Sequence, residues 1–171
     1  LKAAVGETLL DFQSFDGGAG HYAKTGQVLP DDTYAACRSA DAILHGAAGL
    51  PGVVYPDGTE VGNDLHLLLR FRLDLYANVR PVKLLPGVLS PLRAFDGGGI
   101  DYVIIRENTE GLYASRGAGV VLRDEFASDS LVVTRRGTER VAKFAFEMAK
   151  KRTGAPRDGK SRVTVCDKAN I

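Results

Sequence analysis

The stretch DYVIIRENTEGLY, residues 101–113, passes from an apolar segment straight into a run of charged and polar side chains. The residues from Asp101 to Ile105 are typical of a buried strand, because they are mostly β-branched or aromatic. Arg106 and further polar residues follow without a break, and a glycine turn precedes Tyr113. So many hydrogen-bonding groups at the end of a strand raise the question of which ligand or partner they serve.

Segments on both sides of this stretch alternate between helix and strand patterns, which predicts an α/β fold. The helix patterns cover residues 29–41, 63–74 and 134–152. The strand patterns cover residues 42–49, 75–87 and 162–171, in addition to the strand at 101–105. Residues 114–133 mix short β-prone runs with glycine, aspartate and serine, which predicts a hairpin or an arm.

The charges of the chain nearly cancel, because 22 Lys and Arg stand against 21 Asp and Glu, a formal net charge of +1. This balance gives no global case for binding nucleic acid or an anionic membrane. The sequence has no apolar run long enough to span a bilayer and no signal-peptide pattern, so we expect a cytoplasmic protein of one to two small domains. Cys37 and Cys166 are expected to be free thiols. Because the sequence starts at Leu1 without methionine and ends at Ile171 within a site-like segment, we expect a chain that lacks both ends of the protein.

Five residues stand where side chains with chemical function are expected. Arg70 lies on a predicted helix, Arg80 follows it by ten residues, and Arg106 lies at a strand end. Three converging guanidinium groups would hold a di- or tricarboxylate, whereas each arginine by itself is better explained as a surface charge. Tyr113 is a candidate proton donor or a packed ring, and Lys168 is a candidate base or a loop lysine.

Several common sites are not supported by the sequence. The three histidines do not have the spacing of metal ligands, so no metal is assigned to them. The glycine-rich DGGAG and DGGGI segments do not form a G-x-G-x-x-G fingerprint entering a helix, and a P-loop is also absent. The nucleophile-elbow pattern G-x-S-x-G does not occur.

Several motifs together resemble the isocitrate and isopropylmalate dehydrogenase family of β-decarboxylating dehydrogenases. They occur in family order and cover nearly the whole chain: GQVLPDDTYAACRSADAILHGAAG, LRFRLDLYANVRP, DYVIIRENTEGLY, VTRRGTERVAKFAFEMA and VCDKANI. The resemblance implies a two-domain, isopropylmalate-dehydrogenase-like α/β fold, of which this chain is the central portion. Residues 1–75 would belong to the larger, cofactor-side domain. Residues 76–171 would belong to the smaller domain, with a dimerisation arm at about 114–133.

The resemblance also implies a reaction and a role for each candidate residue. A substituted malate is oxidised by NAD or NADP, and the resulting β-keto acid loses carbon dioxide. Arg70, Arg80 and Arg106 would clamp the malate carboxylates. Tyr113 would supply a proton to the enol, and Lys168 would take the hydroxyl proton while reaching into the site of the partner subunit.

The same resemblance implies cofactors and a partner. Asn170 matches an asparagine that lies near the nicotinamide in the family. A divalent cation, magnesium or manganese, would polarise the substrate hydroxyl, and its ligands are expected outside this chain segment. The segment that discriminates NAD from NADP is expected outside it as well. A homodimer with shared active sites is expected as the working unit.

The resemblance also implies which residues recognise the substituent on the third carbon of the substrate. They are four residues that precede Arg70 in the sequence: Asn63, Asp64, His66 and Leu67. An aspartate at this place would repel a third carboxylate and disfavours isocitrate, although RENTEG is similar to isocitrate- and tartrate-type members. A substrate of the 3-isopropylmalate, tartrate or D-malate type is therefore favoured, with an isocitrate-type enzyme as the alternative. A second alternative is a non-catalytic, dimerising fragment of such an enzyme.

Overall fold

The computed structural model describes residues 10–90, 92, 99–155 and 158–166. The chain divides between Leu73 and Asp74 into two compact units, here called unit 1 and unit 2. The sequence predicted a domain boundary between residues 75 and 76. The assignment of the two units to a cofactor-side domain and a smaller domain stays a prediction.

Unit 1 contains the helices α1 (Ala19–Thr25), α2 (Asp31–Ser39) and α3 (Gly62–Arg72). The helix predicted at residues 29–41 is thereby confirmed as α2, and the one predicted at 63–74 as α3. Pro30 precedes α2 in extended backbone, and Asp31 and Asp32 occupy its first turn. Carboxylates suit this position because the first turn carries the positive end of the helix dipole.

The core of unit 1 is small and lies against α3. Leu29, Leu65 and Leu69 form one buried cluster. The spacing of the sequence placed Leu68 on the same apolar stripe, but this side chain is 39% exposed and Leu67 is buried instead. The helix therefore turns a slightly different face to the core than its pattern predicts.

Two predicted strands are wrong within the described residues. The segment 42–49 runs without strand pairing, and its Ile43 and Leu44 side chains are 40% and 74% exposed. Residues 162–166 also form no strand, and Val165 is 81% exposed. A strand is stabilised by the backbone of a neighbour, and neither segment has such a ladder in the part of the chain that the structure describes. The remainder of the prediction for 162–171 lies outside the described residues.

In unit 2, β1 (Ala77–Lys83) pairs antiparallel with β2 (Asp101–Glu107), so that Ala77 stands opposite Glu107. Side chains of β2 alternate between half-buried and exposed, which makes it a half-buried strand rather than the fully buried one predicted. Helix α4 (Arg135–Lys151) packs against β2 and confirms the helix predicted at 134–152. The predicted apolar stripe of α4 is half-buried, and it comprises Val141, Phe144, Ala145 and Met148.

Between β2 and α4 the chain forms a hairpin of β3 (Val120–Leu122) and β4 (Phe126–Ser128), which confirms the hairpin predicted at 114–133. All six side chains of the two strands are exposed. At the base of the hairpin, Gly111 and Val132 exchange backbone hydrogen bonds of 2.8 and 3.2 Å. The hairpin is thus a projection of unit 2 that is closed at its base.

Among the residues that the structure describes, no helix combines the length and the apolar character needed to cross a membrane. Cys37 and Cys166 are both free cysteines, as the sequence predicted.

Candidate functional site

Arg80 and Arg106 lie on the same face of the β1–β2 pair. The register places Arg106 opposite Asn78, and Arg80 follows Asn78 by two residues along β1. Side chains two residues apart on a strand share a face, so both guanidinium groups project from one side of the pair. Both arginines are exposed. The two predicted carboxylate ligands of unit 2 therefore come together on one surface.

Asparagine side chains orient Arg80 on this surface. Its Nε donates a hydrogen bond of 3.1 Å to Oδ1 of Asn78, and Nδ2 of Asn78 donates one of 3.4 Å to Oδ1 of Asn108. Asn108 is buried, and its Nδ2 donates to the carbonyl of Leu75 at 3.2 Å. The chain of bonds ties the guanidinium of Arg80 to a fixed, buried amide. Sequence reasoning did not identify the two asparagines, although both lie within the motifs that carry the resemblance.

Tyr113 lies beside Arg106. The guanidinium carbon of Arg106 is 5.7 Å from the centre of the Tyr113 ring, within the range of a cation–π contact. Between them, Gly111 has a φ of 75°, a conformation that favours glycine and turns the chain back toward the strand. Arg106 and Tyr113 are therefore held close to each other by the turn that separates them in sequence.

The polar residues of this turn satisfy one another. The carboxylate of Glu107 accepts hydrogen bonds from the amide of Thr109 at 3.0 and 3.1 Å, from the hydroxyl of Thr109 at 2.7 Å and from the amide of Glu110 at 2.7 Å. Most of the polarity at the end of β2 therefore fixes the turn. The sequence predicted that these polar residues support the turn, but it did not identify their hydrogen-bond partners.

Glu110 joins the turn to the start of α4. Its carboxylate accepts hydrogen bonds from the amide of Thr134, at 2.8 Å, and from the Thr134 hydroxyl. These bonds, with weaker attraction from Arg140 and Arg136, hold the pKa of Glu110 below its ordinary value. A Cβ at Gly137 would overlap this carboxylate, so glycine at that position permits the close approach.

The remaining predicted substrate residues lie on α3 in unit 1. Asp64 accepts a hydrogen bond of 2.8 Å from the hydroxyl of Tyr55, and Asn63 donates one of 3.3 Å to Glu60. Leu67 is buried. Arg70 lies in the last turn of the helix and is half-buried.

His66 lies between charged neighbours on the same helix. Burial lowers the pKa of His66 below its usual 6.5, the nearby Arg70 and His45 lower it further, and Asp64 opposes them. The imidazole is therefore neutral near pH 7. A neutral side chain at this position provides no positive charge for a further substrate carboxylate.

Two open depressions of about 330 and 390 Å³ lie on unit 1. The smaller is lined by residues 14–16, 21, 30, 32 and 33, and the larger by residues 49–54, 60 and 62. Neither contains the predicted substrate residues of α3.

Lys168 and Asn170, the predicted base and the predicted neighbour of the nicotinamide, lie outside the described residues. Within residues 10–90, 92, 99–155 and 158–166, no group of three or more His, Cys, Asp or Glu side chains could hold a metal ion. That the ligands of magnesium or manganese lie outside this chain segment stays a prediction.

Known proteins are similar to this chain in sequence and in fold. The family model for isocitrate/isopropylmalate dehydrogenase matches residues 1–171. A 3-isopropylmalate dehydrogenase of Clavibacter sepedonicus is 43% identical over 174 residues, which cover 99% of this chain and 46% of that protein. Among solved structures, isocitrate dehydrogenase from Methylococcus capsulatus superposes with a TM-score of 0.62 at 34% identity, covering 79% of this chain and 37% of the other. A β-decarboxylating dehydrogenase from Thermococcus kodakarensis, in its apo form, superposes with a TM-score of 0.61, also at 34% identity, covering 87% and 39%.

These matches show the fold class, which is a mixed helix and strand fold of the decarboxylating-dehydrogenase type. The sequence predicted this class. The chain belongs to the isocitrate/isopropylmalate dehydrogenase family. It spans less than half the length of the relatives it matches, 46% of the Clavibacter protein and 37% of the Methylococcus structure.

Proposed function

We propose that this chain is part of an NAD- or NADP-dependent decarboxylating dehydrogenase that acts on a 3-substituted malate of the 3-isopropylmalate, tartrate or D-malate type. The observation that carries the proposal is the grouping of Arg80, Arg106 and Tyr113 in unit 2 of a member of this family. Two cations and a phenol together suit a substrate that carries carboxylates and must gain a proton.

Arg80 and Arg106 bind the substrate carboxylates. Each guanidinium offers paired N–H donors that match the two oxygens of a carboxylate, which fixes the orientation of the substrate as well as its charge. Asn78 supports Arg80 through the 3.1 Å bond to its Nε and thereby orients the terminal N–H groups. Arg70 on α3 provides the third guanidinium group in this proposal.

Tyr113 acts after carbon dioxide has left. The electrons of the broken carbon–carbon bond remain on the substrate as an enolate, and the phenol of Tyr113 donates a proton to its third carbon. Lys168 takes the proton of the substrate hydroxyl at the oxidation step. The oxidation also requires a nicotinamide as the hydride acceptor, with Asn170 as its proposed neighbour.

Residues on α3 select the substituent of the substrate. Asp64 is negatively charged and held by Tyr55, and the neighbouring His66 is neutral because its pKa is lowered. Asn63 and Leu67 complete the proposed selecting set. A third carboxylate finds no cation among these four side chains, which supports a smaller or uncharged substituent over that of isocitrate.

The proposed enzyme is a homodimer with shared active sites, joined through the hairpin at 114–133. The support for this proposal is the exposed apolar surface of the hairpin, where Val121 and Leu122 are 69% and 55% exposed. The proposed enzyme acts on a small-molecule substrate, and its proposed location is the cytoplasm.

The test is a substrate panel with the full-length protein: 3-isopropylmalate, tartrate, D-malate and isocitrate, each with NAD or NADP and with magnesium or manganese. We expect cofactor reduction and release of carbon dioxide with one of the first three substrates. Arg106→Lys should raise KM by about tenfold or more, because a lysine cannot form the paired bonds. Tyr113→Phe should lower kcat by about 100-fold with little change in KM.

The matched control for the arginine variant is Arg135→Lys, because Arg135 is 88% exposed and pairs only with Glu139 among the described residues. Its kinetic constants should equal those of the wild type. Failure of all four substrates to reduce either cofactor would refute the proposed function.

A further inference from the structure

Arg140 on α4 connects the two strands that carry the substrate arginines. Its Nη1 donates to both carboxylate oxygens of Asp74, at 2.9 and 2.7 Å, and its Nη2 donates to the hydroxyl of Thr109 at 2.6 Å. Its guanidinium carbon lies 4.6 Å from the centre of the Tyr76 ring. Asp74 and Tyr76 precede β1, and Thr109 follows β2, so one side chain joins the start of one strand to the end of the other.

The geometry of these contacts requires an arginine. The Arg140 side chain is only 20% exposed, and its two terminal nitrogens point to different partners. A planar guanidinium can make paired bonds to a carboxylate and a further bond from its other nitrogen at the same time. A lysine has all its donors on one nitrogen, so it would not reproduce these diverging contacts. The contact with Thr109 is therefore specific to the residue type at position 140.

The bond to Thr109 reaches the turn beside the proposed site. The Thr109 hydroxyl also donates to Glu107, whose carboxylate gathers the amides of the turn. Asp74, Arg140, Thr109 and Glu107 thus form one connected network that ends where the chain leaves β2. Arg106 itself is held by the β1–β2 ladder, whereas Tyr113 lies beyond the turn and depends on it for its position.

We propose that Arg140 is a positioning residue which acts through Thr109 to set the place of the Tyr113 phenol relative to a substrate bound at Arg106. The inference rests on the proposed function, since it assigns Arg140 a part in the same reaction. Arg140 touches neither Arg106 nor Tyr113 in the described contacts, so it is not a catalytic residue. It fixes the turn, and the turn fixes the distance over which the proton is transferred.

The test is carried out on the full-length protein with two pairs of variants. Thr109→Val removes the hydroxyl but leaves the Arg140–Asp74 pair in place, and Thr109→Ser is its matched control because it keeps the hydroxyl. Arg140→Met removes the guanidinium. Its matched control is Arg136→Met, since Arg136 lies on the same helix, 3.5 Å from Asp74, but is 82% exposed.

We expect Thr109→Val and Arg140→Met to lower kcat by about 10- to 100-fold, because a small misplacement of a reacting group is costly. KM should stay within about threefold of the wild type, since the binding arginines are unaffected. The solvent deuterium isotope effect on kcat should rise, because proton donation by a displaced Tyr113 becomes the slow step. Thr109→Ser and Arg136→Met should behave as the wild type does.

Equal kcat values and isotope effects in Thr109→Val and Thr109→Ser would overturn the inference. So would a rise in KM that matches the loss in kcat, because the network would then serve binding or folding. If Arg140→Met does not fold, the threonine pair still decides the question. An inactive wild-type protein would overturn the proposed function together with this inference, whereas an active wild type with an unaffected Thr109→Val variant would overturn the inference alone.

Discussion

Glu110 and Thr134 are bonded to each other at the N-terminus of α4. The hydroxyl of Thr134 accepts a hydrogen bond of 3.0 Å from the amide of Gly137, and Thr134 donates both its own amide and its hydroxyl to Glu110. The helix start is capped in the usual way, and a carboxylate from a distant turn supplies the negative charge that this end of a helix favours.

This arrangement predicts a dependence of stability on pH. The ordinary pKa of Glu110 is 4.5, and the bonds from Thr134 lower it in the folded protein. Folding therefore favours the ionised form, so the contribution to stability is present above pH 4.5 and is lost as pH falls through the lowered folded value. Glu110→Gln should reduce the free energy of unfolding at neutral pH by about 1 kcal/mol, the size of a charge-assisted hydrogen bond near solvent.

The measurement is urea denaturation of the two proteins across the acid range. The difference between wild type and Glu110→Gln should shrink as the pH decreases below 4.5. Glu139→Gln is the control, because Glu139 is exposed on the same helix and pairs only with Arg135 among the described residues. Parallel stability curves for the wild type and Glu110→Gln would contradict the prediction.

At the level of single residues, the sequence selected candidate side chains for the site but not the residues that support them. Arg106 and Tyr113 could be selected because they stand at a strand end and after a glycine turn. The partners of the turn could not, since Thr109 and Arg140 are 31 residues apart, and Glu110 and Thr134 are 24 apart. Hydrogen bonds across such separations depend on how the elements pack, which a local pattern does not encode.

At the level of elements, helices α2, α3 and α4 were predicted, whereas helix α1 was missed and the strands predicted at 42–49 and 162–166 did not form. Helix α4 is defined by its own apolar stripe and by its cap, so its bounds follow from the residues that form it. A strand depends on its neighbour, and residues 42–49 have the composition of a strand without pairing as one in the described part of the chain. The strands β1 and β2 were predictable because both segments are β-prone and each has the other as its pairing partner.

The exposed hairpin leads to a prediction about the proposed dimer interface. Leu122 and Phe126 stand directly opposite each other and are 55% and 54% exposed, so they share one apolar face. Leu122→Asp should raise the dissociation constant of the proposed dimer by about 100-fold, as loss of a central apolar contact does. Sedimentation velocity over a range of concentrations measures this change.

Asp124→Asn is the matched control for the hairpin. Asp124 lies in the turn between β3 and β4 with a φ of 57°, a conformation that asparagine also adopts. It should leave the dissociation constant unchanged. A wild-type protein that sediments as a monomer at all concentrations, or a Leu122→Asp dimer of unaltered strength, would count against the interface.

At the scale of the whole molecule, the proposed shared active sites predict subunit complementation. Alone, Lys168→Ala should be inactive and Tyr113→Phe should keep about a hundredth of the wild-type activity. If Lys168 serves the site of the partner subunit, a mixed dimer contains one site with both residues intact. Random mixing after reversible dissociation should then restore about a quarter of the wild-type activity, because half of the dimers are mixed and each has one working site.

The assay for complementation is cofactor reduction before and after the two variant proteins are mixed and reassembled. Mixing Lys168→Ala with itself after the same treatment is the control. If the mixture gains no activity although mixed dimers are found by mass spectrometry, Lys168 does not act across the interface.

The closed base of the hairpin separates two tasks that share one stretch of chain. Gly111 bonds to Val132, and the Ser115 hydroxyl donates to the carbonyl of Ser130, so the chain departs and returns at a fixed seam. We expect that residues 116–128 beyond the seam can change in length without displacing Tyr113, because Ser115 also bonds to Asp129 at the seam. An exchange of the tip for that of a relative should therefore change which subunits pair, and turnover should persist only where the exchanged tips still form the proposed dimer.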